Sequence, residues 1–247
     1  VVDNDRIVDI TPAAIEYGIT LGVRRREAQK LCADLQVVLN DEELSVRRFS
    51  SVIEALESVT PRIEITTGGR CSFPTRGPSR YFGGDQALAQ TVVERTVSVL
   101  SAMFETDEVP NHIYPKVGVA DSRFVAALAA TSETSSRIQV VVSGGSAAFL
   151  APFPVDVLVA KESPLSEAHD LVDVFRRLGL KTLGDISSLP NQELVARFGS
   201  PGLLAKQLAQ GIDSRASLLH SISNVVSEES EIDPPTDHVE TAVFVAK

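Results

Sequence analysis

The chain has no tryptophan and few residues of three other types, and these shortages limit the kinds of site that it can form. Its 247 residues include no tryptophan, one methionine, two cysteines and four histidines. Cys32 and Cys71 form no CxxC pattern and have no histidine pair nearby, so neither a disulfide framework nor a zinc site is predicted. We expect both cysteines to be core or strand residues.

Long apolar runs are also missing. No stretch of about 18 apolar residues occurs, and the opening residues VVDNDRIVDI lack the basic and apolar regions of a signal peptide. The sequence therefore predicts a cytoplasmic protein with no membrane contact. With 43% apolar and 23% charged residues, the chain is sufficient for one large domain or two to three small ones.

Basic residues are too few for bulk attraction to nucleic acid. Lysine and arginine total 23 against 33 acids, which gives a formal net charge of −10. Any binding to nucleic acid would need a local basic surface instead. The acidic excess is uneven, because residues 227–247 carry six acids and one base whereas residues 170–215 carry five acids and six bases.

The spacing of apolar residues divides the chain into pieces. Apolar residues three and four apart predict two short helices within 12–34, interrupted by Gly18 and Gly22. Between 46 and 150, strands alternate with helices and indicate a small antiparallel or mixed sheet covered by helices on one face. The predicted elements are a helix at 46–58, strands at 61–67 and 70–75, a helix at 85–103, a strand at 113–119, a helix at 121–131 and the β-branched run Ile138–Val142.

The third piece is helical. Residues 151–164 contain three prolines and are predicted to be a connection, and the pattern DLVDVFRRLGLKTLGDISSLP is typical of a helix–hairpin–helix. Such a hairpin can present backbone N–H groups to a phosphate without any lysine. Glycine-bounded helix pairs also occur in unrelated bundles, so the pattern alone leaves both interpretations open.

Three further motifs have ordinary explanations. The run Asp3-Asn4-Asp5 is predicted to be a solvated turn rather than a metal site. Gly144-Gly145 lacks a phosphate-loop signature and is predicted to lie in a hairpin. Arg24, Arg25 and Arg26 form the densest basic run, which is either an exposed helix surface or a contact for template phosphates.

Several segments, in order, resemble the Y-family (translesion) DNA polymerases. The strings LGLKTLGDISSLP and LVARFGSPGLLAKQLAQGID resemble the family's thumb, GITLGVRRREAQKLCADLQVVLND its fingers, KVGVADSRFVAALAA its palm and FLAPFPVDVL the link from palm to thumb. RGPSRYFGG and EIDPPTDHVETAVF are closest to the ImuB-type branch. The resemblance runs from about Ile7 to Asp213.

This resemblance implies an α+β, right-hand polymerase-like fold with a ferredoxin-like palm, small helical fingers and a helix–hairpin–helix thumb. Residues 1–45 would form the fingers-like part, with the first palm strand missing. Residues 46–150 would form the palm and 151–222 the thumb. Residues 223–247 would be a linker and the start of a truncated little-finger domain.

The resemblance also implies that the catalytic positions are altered. Two-metal phosphoryl transfer needs carboxylates that hold ions about 4 Å apart, but the expected acid positions are Gly69 and Arg70, and no Asp or Glu occurs between Ile65 and Gly84. The positions expected to contact the nucleotide triphosphate are Pro12, Ile15 and Thr134. We therefore expect no catalytic residue, no nucleotide contact, and no cofactor or metal.

From this we expect a protein that is not an enzyme but a catalytically inactive, ImuB-like, DNA-binding adaptor in translesion synthesis and damage-induced (SOS) mutagenesis. Its expected partners are DNA, the sliding clamp, an ImuA-like protein and an error-prone DnaE-type polymerase, in the bacterial cytoplasm at the nucleoid. The residues expected to contact DNA are Gly179, Lys181, Gly184, Arg197, Gly199, Gly202 and Lys206, with Arg24, Arg25 and Arg26.

Two alternatives stay open. One is an active Y-family polymerase whose acids lie at other positions and which uses Mg²⁺. The other is a protein-interaction scaffold without DNA binding, which the net charge of −10 favours. The role of two arginines is also open: Arg70 and Arg76 could dock primer-end phosphates where the acids are lost, or Arg76 could simply end an exposed strand.

Overall fold

A computed structural model describes residues 1–20, 22–106, 108–111, 113–132, 136–160, 163–215 and 220–221. Helices and strands alternate along these residues, so the predicted mixed composition of the fold is confirmed. In chain order the elements are β1 (Val2–Asp3), β2 (Arg6–Ile7), α1 (Pro12–Glu16), α2 (Arg25–Leu31), α3 (Glu42–Glu57), β3 (Arg62–Thr67), β4 (Arg70–Ser72), α4 (Arg76–Phe82), α5 (Asp85–Phe104), β5 (Val117–Val119), α6 (Arg123–Thr131), β6 (Ile138–Val140), α7 (Ser146–Leu150), a 3-10 helix (Val155–Val159), α8 (His169–Arg177), α9 (Leu183–Ser188), α10 (Asn191–Ala209) and β7 (His220–Ser221).

The first part of the chain has a small core of its own. Strands β1 and β2 form an antiparallel hairpin, and the two predicted short helices are confirmed as α1 and α2. Thr11 caps α1 through its hydroxyl, and Pro12 occupies the first turn, where a missing N–H costs nothing. The core of this part consists of Val2, Ile7, Ala14, Ile19 and Ala28.

Strand β3 is the centre of the main sheet. It pairs antiparallel with β4 on one side and with β7 on the other. Ile63 on β3 packs into a cluster with Leu56 of α3 and Leu88 of α5, so both helices cover this face of the sheet. Strands β5 and β6 form a separate parallel pair, and α6 makes the crossover between them that a parallel pair requires.

The largest core joins α6 to the helical C-terminal part. Phe124 and Leu128 of α6 belong to one buried cluster with Phe175 of α8, Ile186 of α9 and Leu208 of α10. Apolar residues on both sides of position 150 therefore share a core. The predicted domain boundaries stay predictions, and the predicted segment 223–247 lies outside the described residues.

Several predicted boundaries are wrong. Helix α3 begins at Glu42 because the carboxylate of Asp41 accepts the Leu44 N–H at 2.8 Å and so caps the helix. Strands predicted at 70–75 and 113–119 are shorter, at Arg70–Ser72 and Val117–Val119. The expected hairpin at Gly144-Gly145 is instead a turn that leads into α7, and the connection 151–164 contains the 3-10 helix.

The helix α4 was not predicted. Its sequence RGPSRYF has a proline, but Pro78 lies in the first helical turn, where proline is tolerated. Gly83 ends the helix in the left-handed conformation at φ 89°, with its N–H returning to the Ser79 carbonyl. Arg76 therefore begins a helix and does not end an exposed strand, as one alternative had it.

Within the described parts of the chain, no helix is both long enough and apolar enough to cross a membrane.

The turn between β3 and β4 is built from two glycines. Thr67 pairs with Arg70, so Gly68 and Gly69 form the whole loop. Gly69 has φ +90°, a conformation that favours glycine. A Cβ on Gly68 would lie 2.7 Å from the Cβ of Ser45 in α3, so the first turns of α3 pack directly against this loop.

Truncation of Phe175 should strongly destabilise the fold. Its side chain is fully buried and meets Phe198 edge to face, with ring centroids 5.0 Å apart. Because Phe175→Ala leaves a cavity, we expect the free energy of unfolding to fall by about 3–5 kcal/mol in urea titrations. The neighbouring Val174→Ala, at a side chain 39% exposed, should change it by no more than about 0.5 kcal/mol; equal effects would contradict the packing described.

The Gly68 loop gives a second test, through a pair of glycine substitutions with opposite expected signs. Gly68→Ala should lower the free energy of unfolding by about 1–3 kcal/mol, because the added methyl group meets Ser45. Gly77→Ala in α4 meets no atom within 4 Å and should raise stability by about 0.5–1 kcal/mol through helix propensity. A Gly68→Ala variant as stable as the parent in thermal and urea unfolding would show that α3 does not pack on the loop.

Candidate nucleic-acid interface

The positions expected to correspond to catalytic acids lie at the β3–β4 loop. Gly69 is in the turn and Arg70 is the first residue of β4. Divalent cations take oxygen ligands, and two glycines beside a guanidinium supply no carboxylate, so this loop does not fit a metal ion. No group of three or more metal-binding side chains comes together among the residues that the structure describes. The assignment of positions 69 and 70 stays a prediction.

One buried carboxylate near this loop was missed. Glu64 on β3 is 8% exposed, and its Oε1 forms an ion pair with Nη1 of Arg123 at the start of α6. Nη2 of the same guanidinium donates to the Thr66 hydroxyl at 3.2 Å, while Oε2 of Glu64 is buried without a hydrogen-bond partner. The single acid in the strand sequence RIEITT was the available signal, and it lies one residue before the acid-free span 65–84.

A second ion pair lies where the chain leaves α10. Arg215 donates from Nε to Asp213 Oδ1 at 3.0 Å and from Nη2 to Oδ2 at 2.7 Å, a bidentate arrangement. Burial raises the pKa of Asp213, but the hydrogen bonds from Arg215 outweigh it and hold the pKa below its usual value. The pKa of Arg215 is raised by Asp213 and also by the charge of Glu64.

The backbone N–H groups in the turn between α8 and α9 donate hydrogen bonds to acceptors within the protein. The amide of Gly179 donates to Arg176 O and that of Gly184 to Ala151 O, both at 3.0 Å. The amides of Lys181 and Thr182 donate to Oδ2 of Asp185 at 2.9 and 2.8 Å, and these bonds lower the pKa of Asp185. These amides are therefore already occupied. A phosphate at this turn would depend on the side chain of Lys181, which is exposed.

Helix α10 is divided at a glycine. Gly199 has φ 62° and ψ −151°, so two helical segments meet there. Gly202 is buried against Phe198. The Lys206 amine donates a hydrogen bond to the Leu189 carbonyl. Of the two cations on α10, the exposed Arg197 is therefore the one available to a phosphate. Arg197 lines a cavity of about 220 Å³ together with Leu178, Leu180, Leu189, Glu193, Leu194 and Phe198. This cavity places Arg197 beside the α8–α9 turn.

The arginine run lies at the start of α2. Arg24, Arg25 and Arg26 are all exposed, and the Arg25 N–H donates to Asp5 O at 2.9 Å. Asn4 and Asp5 form the turn between β1 and β2, with φ 46° and 63°, so the predicted solvated turn at residues 3–5 is confirmed. The run therefore presents a basic surface beside this turn.

The positions expected to contact a nucleotide are spread over the chain. Pro12 begins α1, and Ile15 on the same helix is 56% exposed. Thr134 lies outside the described residues. The expectation that none of these positions binds a nucleotide stays a prediction.

Comparison with known proteins gives two groups of relatives. DNA polymerase IV of Moorella thermoacetica is 26% identical over 226 residues, which cover 92% of this chain and 52% of the relative. DNA polymerase IV of Pseudomonas aeruginosa is 28% identical over 222 residues, covering 88% of this chain and 57% of the relative. The chain thus spans somewhat more than half the length of these relatives.

The solved structures that are similar share the fold. DinB from Sulfolobus solfataricus has a TM-score of 0.57 at 19% identity, covering 83% of this chain and 55% of that one. A DinB-family error-prone DNA polymerase from the same organism has a TM-score of 0.59 at 16% identity, covering 85% and 60%. The mixed α and β fold therefore matches Y-family polymerase structures; the division into palm, fingers and thumb stays a prediction.

These relatives overturn two expectations. The expected role as a catalytically inactive ImuB-like adaptor and the expectation that the chain is not an enzyme are both wrong, because relatives matching about nine-tenths of the chain are named DNA polymerase IV. Both expectations rested on an ungapped placement of the family's acid positions on Gly69 and Arg70 and of its nucleotide-contacting positions on Pro12, Ile15 and Thr134. The comparison favours the alternative of an active polymerase.

The N-terminal half of the chain shows which family the protein belongs to. The model of the impB/mucB/samB family, designated IMS, matches residues 1–131 of the 247. The chain belongs to the impB/mucB/samB family and is a homologue of the Y-family DNA polymerases.

Proposed function

We propose that this protein is a Y-family DNA polymerase, acting in template-directed DNA synthesis, and that residues 1–215 help to hold its DNA. The observation that carries the proposal is similarity to DNA polymerase IV proteins over 88–92% of the chain. Because the chain spans about half to three-fifths of those relatives, the activity belongs to the full-length protein. The segment RGPSRYFGG supports a position for this chain near the ImuB-type branch of the family. That position describes its relationship to other members and assigns it no role.

The exposed cations support a contact with the phosphate backbone. Lys181 and Arg197 flank the α8–α9 turn and the kink at Gly199, and the arginine run 24–26 offers a separate basic surface. Backbone contacts hold DNA in place without reading its sequence. We propose that the helical part acts as the thumb and residues 1–45 as the fingers; the sliding clamp, the ImuA-like protein and the DnaE-type polymerase stay predictions as partners.

The chemistry of the β3–β4 loop limits where catalytic groups can lie. Ser45 leaves no room for a side chain at Gly68, Gly69 has a positive φ, and Arg70 is a cation. We therefore infer that no step of the reaction uses these three positions, and that the carboxylates required for synthesis come from other parts of the full-length protein. The loop would then serve only to connect β3 and β4.

Primer extension tests the activity directly. Full-length protein with Mg²⁺ or Mn²⁺ should extend a labelled primer by the nucleotide that the template specifies and stop where that nucleotide is withheld. The Arg70→Ala variant should extend the primer at the parent's rate within about twofold, because we infer that no step of the reaction uses Arg70. A tenfold loss of rate would require the barrier to rise by about 1.4 kcal/mol. Absence of extension with either metal, while the same protein binds the primer–template, would overturn the proposal.

The salt dependence of binding tests the phosphate contacts. If four to six phosphates are neutralised, the log–log plot of affinity for duplex primer–template against salt should have a slope of about −4 to −5, at about −0.9 per contact. The double variant Lys181→Ala, Arg197→Ala should make the slope less negative by about 1.8. Lys116→Ala, which removes an exposed cation before β5, is the matched control and should leave it unchanged; a salt-independent affinity would exclude this contact.

A further inference from the structure

Helix α4 presents an exposed face that the proposed polymerase function does not use. Arg76, Gly77, Arg80 and Tyr81 are its exposed residues, and at about 100° per residue they fall within one sector of about 140°. Tyr81 is 84% exposed, the highest value among the large apolar and aromatic side chains in the described residues. This face carries two cations and one aromatic ring.

Within the described part of the chain, no acid pairs with either guanidinium group on this face. Neither Arg76 nor Arg80 makes an ion pair or side-chain hydrogen bond with any residue that the structure describes. The acid nearest in sequence is Asp85 at the start of α5, and its carboxylate already accepts a hydrogen bond from the Ser79 hydroxyl. The face therefore keeps a local positive charge although the whole chain carries −10.

The ring of Tyr81 is held in place although it is exposed. It meets Phe82 edge to face, with centroids 4.9 Å apart and planes at 83°, and Phe82 packs against the core cluster of α3, β3 and α5. Side chains on a helix lean toward its N-terminus, over the residue four positions earlier. For Tyr81 that residue is Gly77, where even a Cβ would meet nothing within 4 Å, so this flank of the ring is open.

We propose that the α4 face, defined as Arg76, Gly77, Arg80 and Tyr81, binds single-stranded DNA. A base stacks on the Tyr81 ring, and the flanking phosphates pair with the two guanidinium groups. Aromatic rings beside cations are the general means of holding unpaired strands without reading sequence. The choice of DNA over RNA rests on the proposed function; the stacking surface itself does not.

A protein partner fits this face less well. Stable protein interfaces bury about 800 Å² on each side around an apolar centre depleted of charge. The α4 face offers one exposed ring beside two cations, and its residues Pro78, Ser79 and Phe82 are half-buried. The charge and the single ring are complementary to a strand of phosphates and bases.

Fluorescence anisotropy with labelled dT20, rU20 and a blunt-ended DNA duplex tests the inference on the 247-residue chain. Tyr81→Ala should weaken dT20 binding about tenfold, since one base–aromatic stack contributes about 1–3 kcal/mol, and should change duplex binding by less than about twofold. Tyr81→Phe keeps the ring and should restore dT20 affinity. The double variant Arg76→Ala, Arg80→Ala should make the salt slope for dT20 less negative by about 1.4, at about 0.7 per single-strand phosphate.

The controls separate this inference from the proposed function. Lys116→Ala should bind dT20 as the parent does, and because all the altered side chains are exposed, circular dichroism melting should be unchanged. Unchanged dT20 binding by Tyr81→Ala, an equal loss for dT20 and duplex, or binding of rU20 alone would overturn the inference while leaving the polymerase proposal intact. Failure of the full-length protein to bind primer–template or to extend a primer would instead count against the proposed function.

Discussion

The ion pair between Glu64 and Arg123 joins the parts of the described structure. One face of β3 places Ile63 in the core formed with α3 and α5, while the next residue, Glu64, is buried against the first residue of α6. A charge in this position needs its partner, because an unpaired buried carboxylate is far more costly than a paired one. The pair therefore fixes how the sheet meets α6, and α6 in turn carries the core shared with α8, α9 and α10.

This arrangement extends to the end of the helical part. Arg215 binds Asp213 in a bidentate pair just after α10, and β7 then pairs with Arg62 and Ile63 at the start of β3. One short strand thus organises the β3–β4 loop, the start of α6 and the return of the chain from α10.

Sequence patterns predicted most elements because their periodicity is local. The two short helices near the N-terminus, the hairpin strands, α5 and the helices of the C-terminal part follow from apolar spacing and from glycine and proline. Helix α4 was missed because RGPSRYF looks like a loop, although Pro78 is harmless in a first turn and Gly83 supplies the C-terminal cap. Conversely, the amides predicted at the α8–α9 turn exist but are taken by Asp185, Ala151 and Arg176.

The family resemblance, the absence of carboxylates between Ile65 and Gly84 and the acidic balance can all be read from the order of the residues alone. Tertiary structure decided which polar groups remain available. Burial of Glu64 by a residue 59 positions away, closure of Gly68 by Ser45 and exposure of Tyr81 beside two unpaired arginines depend on contacts between distant segments, which no local pattern records. An aromatic ring in a sequence is equally compatible with core and surface, and only the packing of Phe82 into the core turned Tyr81 outward.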